Sequence, residues 1–233
     1  MDGTLGHTFL KVTVPNIIFV SSTFNHLSDS PKMTNPARVA LLVKTGENPQ
    51  TFIAAIEHGD GNAVVLDAVS ELPENVGGLL IAGEAAYEAS ETIPAALSQA
   101  IDGGFPVLGI GWGMHALNIA LGGQPPVPVE GHGDPTEEPA KHPLFMAPGG
   151  KVGYTIAGSG WVTVPSAHTH ALLPAQVADG LLSSVYAEDQ VVEAIEKPGR
   201  EWLIGVQWPA HMYDLTPKGF DSLLLALVER SEQ

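Results

Sequence analysis

"VLGIGWGMHALNIALGG", residues 107–123, is typical of a buried strand that turns sharply into a helix. The apolar strand comes first, Gly111 and Trp112 stand at the turn, and the helical segment ends at Gly122 and Gly123. Several hydrolase families use this strand, turn and helix to hold a nucleophilic side chain over a pocket. Glycine has no side-chain atom that can attack a substrate. The turn therefore predicts the layout of such a site without its nucleophile.

Strands and helices alternate along the chain around this turn. Between residues 37 and 121 the order is RVALLV, PQTFIAAIEHG, NAVVLDAV, GGLLIAG, ETIPAALSQAIDGG, PVLGI and the helix after the turn. The first, third, fourth and sixth of these are apolar runs of strand length, and the others have helical spacing. Buried strands that alternate with helices predict a mainly parallel sheet covered on both faces.

The rest of the chain has a different pattern. Residues 124–150 are rich in proline, glycine and acidic residues, which predicts a long surface excursion. Four short strand segments then resemble an antiparallel meander: GWVTVPSAHTHALL, GLLSSVYAED, QVVEAIEK and EWLIGVQW. Residues 216–230 predict a closing amphipathic helix. The predicted fold class is therefore α/β, with added antiparallel strands.

The first 33 residues fit this pattern poorly. They lack the basic start, apolar core and cleavage site of a secretory signal. Two segments of strand composition flank Pro15, and Met33 stands directly before the polar TNPA that leads into the first convincing strand. We predict that residues 1–33 form an N-terminal extension, either dispensable and disordered or an added edge hairpin. Residues 34–233 are predicted to form one domain.

Composition limits the partners of this chain. Its 233 residues include 10 basic and 26 acidic side chains, and the net charge of −16 repels nucleic acid and anionic membrane surfaces. The chain contains no cysteine, which excludes disulfides, thiolate metal sites and a cysteine nucleophile. No apolar stretch of about 18 residues predicts a membrane span. We expect an acidic cytoplasmic protein that binds neither nucleic acid nor membranes.

Four segments carry a resemblance to a known family. "FPVLGIGWGMHALNIALGG" resembles the nucleophile segment of class I glutamine amidotransferases, above all of their gamma-glutamyl hydrolase relatives, whose pattern is PVLGICxGMQLLNVALGG. "GGLLIAGE", "VPSAHTHALLP" and "QVVEAIEKPGREWLIGVQWPAH" are similar to three further motifs of the family, in the same order. The matches extend over about residues 37–230. The resemblance implies a flavodoxin-like, class I glutamine amidotransferase fold, mainly parallel, with an added antiparallel meander.

The departures from the family pattern fall on its catalytic residues. The family places a cysteine at the elbow, a histidine after GVQW and a glutamate two residues later, whereas this chain has Gly111, Pro209 and His211. In the family the thiolate attacks, the imidazole transfers the proton and the carboxylate orients the imidazole. Loss of a nucleophile or base costs on the order of a million-fold in kcat in a well-studied triad. The sequence therefore predicts no catalytic residue of the family mechanism.

Part of the family's binding apparatus is expected to remain. The backbone N–H of Trp112 and that of Gly83 or Glu84 would point at a carbonyl or carboxylate oxygen, while the Trp112 side chain would cover the pocket. The other predicted ligand-binding residues are polar members of the family motifs: His115, Ser166, His168 and His170. The structural alternatives are a hydrogen-bonded packing role for the histidine of the elbow helix and a loop-capping hydroxyl for the serine.

Three functions are compatible with these residues. The first is a catalytically inactive homologue that binds a small amino-acid-like or gamma-glutamyl ligand, or that serves as a partner subunit of an enzyme. The second is a hydrolase with altered chemistry, in which His115, His168 and His211 bind zinc around an open position. The third is a protein whose pocket has decayed. We favour the first, expect no cofactor and no bound metal, and leave open whether the chain forms a homodimer.

Overall fold

The computed structural model describes residues 35–133 and 140–232, so the predicted N-terminal extension lies outside the described residues. The strands are β1 (Arg38–Val43), β2 (Asn62–Leu66), β3 (Gly78–Gly83), β4 (Val107–Gly111), β5 (Val127–Pro128), β6 (Ala140–Met146), β7 (Gly160–Ser166), β8 (His170–Ala171), β9 (Leu182–Ala187), β10 (Val192–Glu196) and β11 (Leu203–Val206). The helices are α1 (Gln50–His58), α2 (Ala95–Asp102), α3 (Trp112–Ala120), α4 (Lys151–Ile156) and α5 (Ser222–Arg230), and Pro174–Gln176 form a 3₁₀ turn.

The first half of the main sheet is parallel. Its strands lie in the order β2-β1-β3-β4-β11, and each adjacent pair is parallel. Every residue of β3, β4 and β11 is buried because helices cover both faces, which explains their uninterrupted apolar sequences. This order matches the 2-1-3-4-5 arrangement of flavodoxin-like proteins. The predicted α/β fold class is confirmed.

The second half of the sheet is antiparallel, in the order β11-β10-β9-β6-β7. The predicted meander provides β9, β10 and β11 as consecutive neighbours. Because β11 also pairs in parallel with β4, it joins the two halves into one sheet. The carboxyl ends of β3 and β4 thus lie close to the loop that follows β11.

The prediction that residues 124–150 form only a surface excursion is wrong. All seven residues of β6 pair with β7 on one side, and Leu144–Met146 pair with β9 on the other. Leu144 and Met146 are buried in the main core, and Phe145 between them points outward. A single face of three or four side chains gives a weak periodic signal, and the surrounding proline, glycine and acidic residues obscure it. The short helix α4 was also missed.

Helices cover the two faces of the sheet as separate groups. Apolar side chains of α1, α4 and α5 share one core cluster, and those of α2 and α3 share another. The backbone of α3 lies directly on β3: a Cβ added to Gly113 would come under 3.0 Å from the Ile81 carbonyl oxygen. This close approach fixes α3, and the turn before it, against the sheet. None of the described helices is long and apolar enough to cross a membrane.

Candidate active-site cavity

The turn between β4 and α3 has the geometry of a nucleophile elbow. Gly111 has φ 55° and ψ −110°, a conformation that side-chain-bearing residues rarely adopt. It lies opposite Gly83 in the parallel pairing of β3 and β4. A Cβ built on Gly111 would come under 3.0 Å from the Gly83 carbonyl oxygen. This elbow is therefore closed around a glycine and leaves no room for a side chain.

A cavity of about 130 Å³ lies in front of the elbow. It is lined by Gly83, Glu84, Ile110, Gly111, Ala167, His168, Gln207, Pro209, His211 and Met212. The positions that correspond to the family's nucleophile, base and orienting acid all line it, as Gly111, Pro209 and His211. Among these lining residues there is no serine, threonine, cysteine, lysine or tyrosine. In the part of the chain that the structure describes, the cavity has the family's location without a conventional nucleophile.

His211 is the most unusual polar group of this cavity. Its side chain is 4% exposed, and neither ring nitrogen has a hydrogen-bond partner among the described residues. The imidazole packs on Phe52, with 4.1 Å between ring centroids. Burial lowers the pKa of His211 to about 4, so the ring is neutral at pH 7. A neutral imidazole presents one donor and one acceptor, and both are available here.

His115 reaches the cavity only through another residue. The side chain lies on α3, is 1% exposed, and its Nε2 lies 2.7 Å from Oε1 of the cavity residue Gln207. Burial lowers the pKa of His115 to about 3, and the hydrogen bond to Gln207 offsets only part of this effect. The ring is therefore neutral at pH 7, and burial is the main cause. His115 holds the Gln207 amide in place.

The turn after β3 is already occupied by a carboxylate of the same chain. The backbone N–H of Glu84 donates to Glu47 Oε1 and Oε2 at 3.0 and 2.9 Å, and the N–H of Ala85 donates to Oε1 at 3.1 Å. The expectation that the Glu84 N–H would point at a ligand oxygen is thus corrected. Partial burial, followed by the charge of Glu47, raises the pKa of the Glu84 carboxyl.

The comparisons with known proteins agree with this geometry. The family model of Peptidase C26 matches residues 82–211, more than half of the 233-residue chain and the segment that contains the elbow and the loop after β11. The chain belongs to the peptidase C26 family. This assignment agrees with the resemblance to gamma-glutamyl hydrolases and class I glutamine amidotransferases carried by the sequence motifs.

One curated protein and one solved structure are similar to this peptidase C26 chain. A predicted glutamine amidotransferase of Mycobacterium tuberculosis, Rv2859c, is 31% identical over 198 residues. The match covers 71% of this chain and 63% of the relative, so the chain spans less than two thirds of that protein. The crystal structure of a predicted GMP synthase subunit from Thermoplasma acidophilum has a TM-score of 0.67 and 14% identity. The match covers 83% of this chain and 94% of that one and shows a shared fold.

Trp112, the elbow residue after the family's nucleophile position, lies away from the cavity. Its side chain is 5% exposed, and its Nε1 donates to Glu91 Oε2 at 2.8 Å. Glu91 also accepts from Lys44 Nζ at 2.9 Å, and the two charged groups and the indole line a different cavity beside α2. The expectation that Trp112 covers the elbow cavity is therefore wrong, because the indole is tied to Glu91.

The segment after β7 holds three predicted ligand-binding residues in different environments. Ser166 is fully buried and its hydroxyl donates to the His132 carbonyl oxygen at 2.6 Å. It therefore has the loop-capping role that was the structural alternative to ligand binding. His168 lines the elbow cavity. His170 is half-buried beside Thr169, with 3.1 Å between its Nδ1 and the threonine hydroxyl. Only His168 of these three contacts the cavity in the described structure.

A cluster of four titratable side chains adjoins the elbow cavity of this peptidase C26 domain. It consists of His132, His142, His168 and Glu193, whose nearest side-chain atoms all lie within 4.8 Å of one another. Glu193, the second residue of β10, is fully buried. Burial would raise the pKa of Glu193, but the surrounding imidazoles outweigh it and lower that pKa to about 2. A buried carboxylate is therefore ionised at neutral pH.

Three members of this cluster were missed by the sequence analysis. The predicted metal-binding trio was His115, His168 and His211, whereas the ligand atoms that the described residues bring together include only His168 of that trio. His132 comes from GHG at residues 131–133, His142 from KHP in β6 and Glu193 from VEAIE in β10. The spacing of these residues in the sequence matches no fixed metal-binding motif. The sequence analysis also did not predict β6, the strand that brings His142 close to β10.

Proposed function

We propose that this chain is a catalytically inactive member of the peptidase C26 family that binds a small amino-acid-like ligand in the elbow cavity. The observation that carries this proposal is the chemistry of the cavity wall. Gly111, Pro209 and His211 line it at the positions of the family's nucleophile, base and orienting acid. The cavity is retained, but a covalent acyl intermediate on a hydroxyl, thiol or amine has no described side chain on which to form.

The size and polarity of the cavity indicate the ligand's chemical class. A volume of about 130 Å³ is well below the roughly 300–1,000 Å³ of pockets for drug-sized molecules. It suits a side-chain amide or carboxyl group rather than a nucleotide or sugar. An unpaired nitrogen of His211 matches such a group, since a neutral imidazole nitrogen is either a donor or an acceptor and a primary amide can pair with either. Glu84 at the cavity wall would attract the ammonium group of an amino acid.

A second form of the proposal is a role as the partner subunit of an enzyme. Its support is the fold shared with the Thermoplasma protein, whose description as a GMP synthase subunit names one part of an enzyme. Both forms predict a protein that works without the family's covalent chemistry. The cytoplasmic location remains a prediction from the sequence, and whether the chain forms a homodimer stays open.

The first test concerns activity. We expect the purified protein to release no ammonia from glutamine and to leave gamma-glutamyl amides intact, because loss of a nucleophile or base costs on the order of a million-fold in kcat. An electrophilic glutamine analogue should leave the intact mass unchanged. Gly111→Cys should also remain inactive, since Pro209 cannot accept a proton. The positive control is an active gamma-glutamyl hydrolase measured in parallel.

Two outcomes would contradict an inactive cavity. One is stoichiometric labelling of the wild-type chain by the analogue. The other is turnover that disappears when one lining residue, such as Glu84 or His168, is substituted.

The second test concerns ligand binding. Glutamine, glutamate and gamma-glutamyl amides would be screened by thermal unfolding and by calorimetric titration. A ligand at 100 times its Kd stabilises the fold by about 2.7 kcal/mol, which raises the melting temperature of a domain of this size by roughly 5–10 °C. His211→Leu should abolish the shift, whereas His58→Leu, on the surface of α1, should retain it. A shift that survives in His211→Leu, or no shift with any of these compounds, would contradict binding in this cavity.

A further inference from the structure

The cluster of His132, His142, His168 and Glu193 contains buried polar atoms that nothing in the protein satisfies. In the described residues, His132 Nδ1, His142 Nε2, His168 Nε2 and both carboxylate oxygens of Glu193 are buried without a hydrogen-bond partner. An unpaired buried polar atom destabilises the folded protein, and a charged one does so more strongly. Five such atoms at one point indicate a missing ligand. We propose that this cluster binds a divalent metal ion of the zinc type, independently of the function proposed for the elbow cavity.

The distances from Glu193 to the three histidines are close to those in the ligand shell of zinc, and all four ligand atoms lie within 4.8 Å of one another. Glu193 Oε1 lies 3.4 Å from His168 Nε2, 3.5 Å from His132 Nδ1 and 3.6 Å from His142 Nε2. Tetrahedral zinc with Zn–N bonds of about 2.0–2.1 Å places neighbouring ligand atoms about 3.3–3.4 Å apart. These atoms are too far apart for short hydrogen bonds among themselves, and their spacing leaves room for an ion between them.

The ring nitrogens that face away from the cluster have partners of their own, which orient two of the histidines as metal ligands. His132 Nε2 lies 2.9 Å from Asp189 Oδ2, and His168 Nδ1 lies 3.2 Å from the His170 carbonyl oxygen. Each outer nitrogen donates its proton to an oxygen, so in the neutral ring the inner nitrogen carries a lone pair that points into the cluster. Metal-binding histidines almost always show this arrangement, with a carboxylate or carbonyl behind the ring.

A salt bridge alone explains the cluster less well. One protonated imidazole would balance the charge of Glu193, and the other two rings would still have unpaired buried nitrogens. A metal ion satisfies the three inner nitrogens and the carboxylate together. Four protein ligands make a closed site of the structural type, without the open position that a hydrolytic zinc requires. Imidazole and carboxylate ligands favour zinc over magnesium, which prefers oxygen ligands and water.

The ligands come from four separate segments, which gives the ion a structural task. His132 precedes residue 134, His142 lies on β6, His168 follows β7, and Glu193 lies on the central strand β10. An ion would cross-link the connection after α3 and the outer strands to the middle of the sheet. Because His168 also lines the elbow cavity, the same ion would fix one wall of that cavity.

The test measures metal content and affinity, with no readout from activity. The full chain would be expressed in zinc-supplemented medium, purified without chelator and analysed for elements; we expect close to one equivalent of zinc. After chelator treatment, Zn²⁺ should bind again and raise the melting temperature, whereas Mg²⁺ should not. Glu193→Gln and His142→Gln should each retain less than a fifth of an equivalent.

A substitution at an exposed residue tests the proposal even if the variants of the buried residues fail to fold. The Asp189 side chain is 52% exposed and contacts the cluster only behind the His132 ring. Asp189→Asn should weaken Zn²⁺ binding about 10–100-fold, as losses of such outer partners do. Glu188→Gln, the same change of charge on the exposed neighbouring residue, should bind Zn²⁺ like the wild type. Absence of Zn²⁺ binding by the refolded wild type, or binding that is unchanged in both Glu193→Gln and Asp189→Asn, would overturn the proposal.

Discussion

Gly111→Ala is expected to lower the free energy of unfolding by about 3 kcal/mol, although it adds a methyl group beside a cavity. Two effects add. Alanine is strained at the positive φ of 55°, and its Cβ would come under 3.0 Å from the Gly83 carbonyl oxygen, which belongs to the paired strand β3 and cannot move freely. The sequence alone suggested a smaller loss of roughly 1–2 kcal/mol, from the strained turn. Denaturant unfolding at equilibrium measures the difference, and Gly111→Cys should behave alike.

Gly122→Ala is the matched control for this substitution. Gly122 also has a positive φ, of 94°, and it directly follows the C-terminal end of α3, but no described atom lies within 4 Å of a Cβ built there. The free energy of unfolding of Gly122→Ala should fall only by the cost of placing alanine at a positive φ, about 1 kcal/mol. Equal losses for the two variants would show that the Gly83 carbonyl does not obstruct residue 111. A neutral Gly111→Ala would show that this turn is not an elbow.

The second large effect is a loss of stability at mildly acidic pH. The pKa values of His115 and His211 fall from 6.5 in an ordinary environment to about 3 and about 4 in the folded protein. Above pH 6.5 both rings are neutral in both states and contribute no pH dependence. Below it only the unfolded chain gains the protons, so stability falls as pH falls. Between pH 7 and 5 the loss is about 2 kcal/mol for each ring.

A pair of variants isolates this contribution from those of other titrating groups. His211→Leu removes one ring, so its stability should depend less on pH than that of the wild type, by about 2 kcal/mol between pH 7 and 5. Phe52→Leu disturbs the same packing without removing a titratable group and should keep the wild-type dependence. Identical pH dependence in the wild type and His211→Leu would mean that the folded protein protonates His211 as readily as the unfolded chain does.

Local sequence predicted the parts of the fold that are themselves local. The strand, glycine turn and helix of 107–123 and the apolar runs of β1 and β3 have patterns that their immediate environment determines, because helices bury both faces of these strands. The strand β6 was missed for the opposite reason. Its place between β9 and β7 depends on pairing with distant segments, and only Leu144 and Met146 of its apolar side chains are buried.

The site divides in the same way. The positions of Gly111, Pro209 and His211 follow from motifs, so their presence around one cavity could be expected. The contact of Glu47 with the turn after β3 joins residues 37 positions apart and has no sequence signature. The histidine and glutamate cluster depends on four segments that meet only in three dimensions. Residue types with short, fixed spacings are readable from a sequence, and such long-range encounters are not.

If the elbow cavity binds the proposed ligand, Glu47 would make it selective between acids and amides. A carboxylate held on the turn by its own chain competes with any incoming anion for the N–H groups of Glu84 and Ala85. An anionic ligand can bind there only in the fraction of molecules from which Glu47 has swung away, and its apparent affinity falls by that fraction. If Glu47 has left the turn in one molecule in a hundred, the apparent affinity for the anion is about 100-fold lower. A neutral amide that bound His211 without displacing Glu47 would keep its full affinity, so the proposed function predicts tighter binding of glutamine than of glutamate.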